Sequence, residues 1–229
     1  EEMAWRMRED PREPVKRLIE RGDEWDSLPA LAEQAPQTFL DILWPWYRDV
    51  FDALARFAEP REMFVGYALP YDADFRFEDE AHIDLPEHAL LGGLRIAVEQ
   101  LAENDPDAFA KWAADNEGVP LAPVQRLIAH GIAHRPEPLA SLGLEFILGD
   151  ERRYYLGSIH DLHGTAKALI TAASAHWSEA QTGRFETAVR AYSPPPPPEM
   201  DDPKSRMSWR HSNRRTQLDL LRALPSHRL

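Results

Sequence analysis

No cysteine occurs among the 229 residues of this chain. That absence removes disulfide frameworks, thiol nucleophiles and cysteine-ligated zinc together. It fits a reducing compartment, and a cytoplasmic location is expected. Uninterrupted apolar runs of about 18 residues are missing too, because charges break the apolar stretches every few positions, so no segment is expected to span a membrane. There is no glycine-rich phosphate loop, no Gly-x-Ser-x-Gly elbow and no dinucleotide fingerprint. Neither an initiator Met nor a charged-then-apolar leader opens the chain, which begins Glu1-Glu2-Met3-Ala4-Trp5. It stops at Leu229, shortly after a helical pattern, and so reads as a piece of a longer protein.

What is present is apolar enough to build a core. Hydrophobic residues make up 43% of the chain, which separates it from the disordered class. Acidic residues outnumber basic ones 39 to 26, for a formal net charge of −13. Such a surface repels phosphate backbones, so nucleic acid is not the expected partner of the bulk of the chain. Residues 200–229 are the exception. They hold Lys204, Arg206, Arg210, Arg214, Arg215, Arg222 and Arg228 against Asp201, Asp202 and Asp219, a surplus of four positive charges that leaves −17 for the remainder.

Helical periodicity dominates, and strand content should be near zero. Phe39, Ile42, Leu43, Trp46, Tyr47, Val50, Phe51, Leu54 and Phe57 recur in steps that place them on one helical stripe. Pro45 should kink or split that helix near Leu43-Trp44. Further amphipathic helices are expected over about 86–102, 123–133, 138–148 and 162–176. The helix over 138–148 is apolar almost all round and should be covered on more than one side. Ser178-Glu179-Ala180-Gln181 is a capping box opening a helix that continues to Tyr192. A last helix is expected after Asn213. Gly92-Gly93 inside a helical pattern implies close helix contact, or a helix start shifted beyond the pair.

Four places share one pattern, an apolar helix end followed by a tight polar turn that usually ends in Pro. They lie at Leu54–Pro60, Leu101–Pro106, Ile132–Pro136 and Ala175–Ser178, the last with Ser in place of Pro. Their irregular spacing argues against tetratricopeptide repeats and suits a HEAT-like α-solenoid of antiparallel helix pairs, taken as one domain over 1–229. A single helix bundle is the competing arrangement. Two long irregular segments interrupt the helices, one near 70–85 and one over 193–212. The second opens with five prolines, Pro194 to Pro198, a spacer spanning roughly 15 Å in polyproline II.

Candidate chemistry is sparse. His130 and His134 stand four apart on one helix face, a spacing that can ligate zinc. The protease form of that motif needs Glu after the first His, and Gly131 stands there. The preferred reading of the pair is two helix-terminal histidines favoured by the negative end of the dipole. His160-Asp161 matches the paired residues of helical metal-dependent HD phosphohydrolases, though in a chain with 9 His such a dipeptide is a chance expectation. An all-helical hydrolase using His130, His134, His160 and Asp161 is therefore the enzymatic alternative. Asp72, Asp74, Glu78, Asp79 and Glu80 suggest calcium, but Arg76 and Phe77 occupy the positions where an EF-hand loop needs an oxygen ligand and Gly. Trp209 among the arginines could stack on a base, making 204–215 a nucleic-acid strip, or the strip could dock on the acidic body.

Three stretches carry a resemblance. They are Ile147-Leu148-Gly149-Asp150-Glu151-Arg152-Arg153-Tyr154-Tyr155-Leu156-Gly157, Ser174-Ala175-His176-Trp177-Ser178-Glu179-Ala180-Gln181-Thr182-Gly183-Arg184-Phe185-Glu186, and Leu220-Leu221-Arg222-Ala223-Leu224-Pro225-Ser226-His227-Arg228-Leu229. The second half resembles the C-terminal helical-repeat region of large bacterial STAND-type NTPases, including those of antiphage defence. The resemblance implies a sensing or interaction region whose ATPase module would lie elsewhere. It carries over no binding residues.

The expectation is thus an all-α, HEAT-like scaffold for protein recognition, with no catalysis, cofactor or metal of its own. Exposed aromatics in an acidic loop make Tyr71, Phe75 and Phe77 the expected contacts for a basic protein partner.

Overall fold

The computed structural model describes residues 27–55, 87–157, 161–196 and 200–225. Among them lie nine α-helices and no strand, so the fold is all-α. The helices are α1 (Leu28–Gln34), α2 (Pro36–Ala55), α3 (Glu87–Asn104), α4 (Pro106–Asn116), α5 (Ala122–His134), α6 (Pro136–Gly149), α7 (Gly164–Ser174), α8 (Glu179–Ala191) and α9 (Pro203–Leu221). A 3₁₀ turn over Glu151–Tyr155 follows α6.

Local chemistry sets the boundaries. Pro36, Pro106, Pro136 and Pro203 each open a helix, where the missing N–H is unused. Asp105 and Asp202 accept first-turn backbone N–H groups of α4 and α9. The capping box forms in full: Gln181 N–H donates to Ser178 Oγ, and Ser178 N–H donates to Gln181 Oε1.

Chain neighbours pack on each other except α7 and α8, and helices two apart pack as rows. α3 lies on α1, α5 on α3, α7 on α5 and α9 on α7, while α6 lies on α4 and α8 on α6. The buried apolar residues form one continuous cluster from Leu28 in α1 to Leu224 beyond α9. As its composition implies, α6 is covered on several sides, by α4, α5, α7 and α8.

Three expectations change. Pro45 does not split α2, which runs unbroken from Pro36 to Ala55. Its buried face includes Phe39, Leu40, Trp44 and Tyr47, while Ile42 is 68% exposed. Trp44 decides that face: its indole N–H donates 2.9 Å to Asn116 Oδ1 of α4, and its ring meets Trp112 edge-on at 5.1 Å. The last helix starts at Pro203, ahead of Asn213, because Asp202 caps it, so the irregular stretch before it ends ten residues earlier than expected. Of the two adjacent glycines, a Cβ on Gly93 would come within 3.2 Å of Phe39, whereas Gly92 faces open space. The expected loop near 70–85 lies outside the described residues.

Candidate functional site

Tyr71, Phe75, Phe77 and His160 lie outside the described residues, so the structure does not place them. His130 is half-buried and His134 exposed in the last turn of α5. Gly131 between them has a packing reason, since a Cβ there would lie 2.3 Å from Phe109 Cε2 of α4. Asp161 sits just ahead of α7. Its Oδ1 accepts the backbone N–H of His163 at 3.2 Å, and its Oδ2 accepts from Lys167 Nζ at 2.5 Å. Partial burial would raise this carboxyl, but Lys167 and the His163 N–H outweigh it and hold the group below the usual carboxylate range. Asp161 thus closes the start of α7. Among the described residues, no three His, Asp or Glu come close enough together to hold a metal ion.

The basic strip forms the body of α9, and the structure corrects the stacking role of its tryptophan. Trp209 is buried, and its indole N–H donates 2.9 Å to the Pro194 carbonyl, which also accepts from Asn213 Nδ2. That carbonyl belongs to the proline run, so α9 clamps the start of the run against itself. The ring has no free face for a base. The strip docks through Trp209, Asn213, Thr216 and Leu220, while its arginines are exposed; among the described residues Arg206 pairs with Asp201, and Arg215 and Arg222 with Asp219.

Beneath α9 lies a chain of polar groups. His163 Nδ1 is 2.7 Å from the Tyr154 carbonyl. A carbonyl only accepts, so Nδ1 carries the proton and Nε2 of the neutral ring is an acceptor. Thr216 Oγ1 lies 3.5 Å from that Nε2 and 3.3 Å from Tyr155 Oη, and Tyr192 Oη is 3.3 Å from Tyr155 Oη. One ordering satisfies every group: Tyr192 donates to Tyr155, Tyr155 to Thr216, Thr216 to His163, and His163 to the Tyr154 carbonyl. Burial favours the neutral ring, pulling the His163 pKa below 6.5 against the Tyr154 carbonyl and the Asp219 and Asp161 charges, which favour the cation. Burial also pushes the Tyr154 phenol up to about 12. The hydroxyl beside this histidine is not a nucleophile. Thr216 is 2% exposed, and a backbone carbonyl orients the ring where a catalytic triad has a carboxylate. The chain is a latch joining the 3₁₀ turn, α7, α8 and α9.

A second buried knot was not legible as a site. Arg153 donates through Nε to Gln125 Oε1, through Nη1 to the Phe146 carbonyl and through Nη2 to the Glu117 carbonyl. Its guanidinium carbon stands 4.1 Å from the Phe146 ring centre. Gln125 in turn donates to the Glu117 and Val119 carbonyls. These bonds satisfy the carbonyls that end α4 and approach the end of α6. The sequence offers only Arg152-Arg153 beside apolar residues, and the acceptors Glu117 and Gln125 lie far away in the chain.

Among the described residues, no helix is long and apolar enough to cross a membrane. The chain matches no protein-family model, no curated protein and no solved structure.

Proposed function

We propose that the chain is a non-catalytic helical-repeat scaffold that recognises another protein, the sensing region of a larger cytoplasmic NTPase of bacterial defence. One observation carries the reading: helices two apart pack in rows, α1–α3–α5–α7–α9 and α4–α6–α8. That alternation is what stacked antiparallel helix pairs produce, and stacked pairs offer extended surfaces that suit protein partners. The best-connected polar groups support it, because the Arg153 knot and the His163 latch bind elements to each other. The STAND resemblance supports the sensing role.

The test is affinity capture from cells of the parent organism, followed by reconstitution with the purified partner in a calorimeter. Saturable binding of one protein to the folded chain supports the reading. A chain that binds no protein, yet hydrolyses a phosphodiester with metal present and loses that activity in His160→Ala, replaces it with the HD-like hydrolase.

A further inference from the structure

We infer that the outward face of α9 is the docking surface for an acidic amphipathic helix, an inference that rests on the recognition reading and gives it a place and a partner chemistry. Trp209, Asn213, Thr216 and Leu220 mark the buried side of α9. At about 100° per residue the opposite side is led by Met207, His211 and Leu218. Met207 and Leu218 are 55% and 50% exposed and stand about three turns apart along this side. Cations border this line on both sides, with Arg210 and Arg214 along one edge and Lys204, Arg215 and Arg222 along the other, all exposed.

These cations are largely uncommitted. Arg215 and Arg222 share Asp219 as their ion-pair partner, at 3.7 and 3.8 Å. Lys204, Arg210 and Arg214 make no ion pair among the described residues. Nor is the helix loosely held, since Trp209 and Asn213 bond Pro194 on one side and Thr216 closes the latch on His163 on the other. A surface already ordered loses little entropy on binding.

Two apolar side chains between two cationic rails complement a helix whose apolar residues are bordered by Asp and Glu, so charge complementarity carries the match. Nucleic acid fits less well. Phosphates would meet the rails, but Met207 and Leu218 would face them at the centre, and the aromatic ring of the strip is buried. A lipid surface fits less well too, because membrane-surface helices present a broad apolar face with large aromatic or aliphatic residues, and here it is two side chains with His211 between them.

The experiment uses the full chain and a labelled synthetic peptide about five turns long, with Leu at i, i+3 and i+4 positions bordered by Glu. Its control is an isomer of the same composition with the Leu residues scattered round the helix. Fluorescence anisotropy should show the amphipathic isomer binding at least about tenfold more tightly. Arg210→Glu with Arg214→Glu should remove that preference, Leu218→Ser alone should weaken it, and a Lys-bordered peptide should bind the double variant better than the wild type. All three side chains are exposed, and circular dichroism checks that each variant folds. Equal binding of the two isomers, or a preference untouched by both variants, overturns the inference. So does displacement of the peptide by oligothymidine or by phosphatidylserine vesicles with the same dependence on Arg210 and Arg214. Self-association of the chain that vanishes in the double variant would give the face to a second copy and overturn it as well. If the peptide fails while the captured partner still binds the double variant, the recognition reading survives with its surface elsewhere.

Discussion

Gly131 shows how a residue can look chemical and be structural. In the sequence it stands between two histidines at zinc-like spacing, where a protease would carry Glu. In the fold it is the point at which α5 meets the Phe109 ring, and a Cβ there would lie 2.3 Å from a ring carbon. Gly131→Ala should therefore destabilise the chain by about 2–3 kcal/mol through overpacking. Gly92→Ala should stabilise it by about 1 kcal/mol, because that position faces open space within α3 and Ala is the better helix former. Urea unfolding of the two variants reads the difference, and equal shifts would contradict the packing. None of this was legible locally, since Phe109 lies in another helix. Arg153 was hidden for the same reason: its acceptors Glu117, Gln125 and Phe146 come from three separate segments.

Individual helices were far more legible than their faces. The capping box at Ser178 and the prolines at helix starts are local signals, and the structure has them where the sequence puts them. The face of α2 was misread because apolar residues occupy most of its circumference. Contacts with distant α4, the Asn116 acceptor and the Trp112 ring, hold Trp44 inside, and Ile42 is left exposed. The start of α9 was missed because the helix was expected only after Asn213, whereas Asp202 caps it and Asn213 lies inside it, bonded to Pro194. The latch under α9 gives a pH dependence with a definite sign. His163 has a folded pKa below 6.5, so below that pH the unfolded chain binds a proton the folded chain resists. The stability contributed by neutral His163 is present above pH 6.5 and is lost as the pH falls through its lower folded value. Asp161, whose charge acts on the ring, is held below the usual carboxylate range and stays ionised through this window. Urea unfolding between about pH 7 and 5 should show the wild type losing stability more steeply than His163→Gln. Parallel profiles would contradict the latch.

For the whole molecule, composition and periodicity were enough for the all-α class, and the order of packing needed three dimensions. In the proposed stack of helix pairs, stability would be largely a sum of neighbour contacts. A chain ending at Trp177, which keeps its indole bond to the Ala140 carbonyl but lacks α8 and α9, should retain helical circular dichroism and a cooperative transition at a lower denaturant midpoint. Complete unfolding would instead indicate one indivisible bundle. The functional assignment was least legible, because its expected contacts Tyr71, Phe75 and Phe77 lie outside the described residues and no group of His, Asp or Glu among the described ones could hold a metal ion. The central claim, that the chain recognises and does not catalyse, is tested most directly by elemental analysis of the purified protein. The account predicts no stoichiometric zinc, iron or manganese. About one such ion per chain, lost in His160→Ala, would contradict it and make His160 and Asp161 metal ligands.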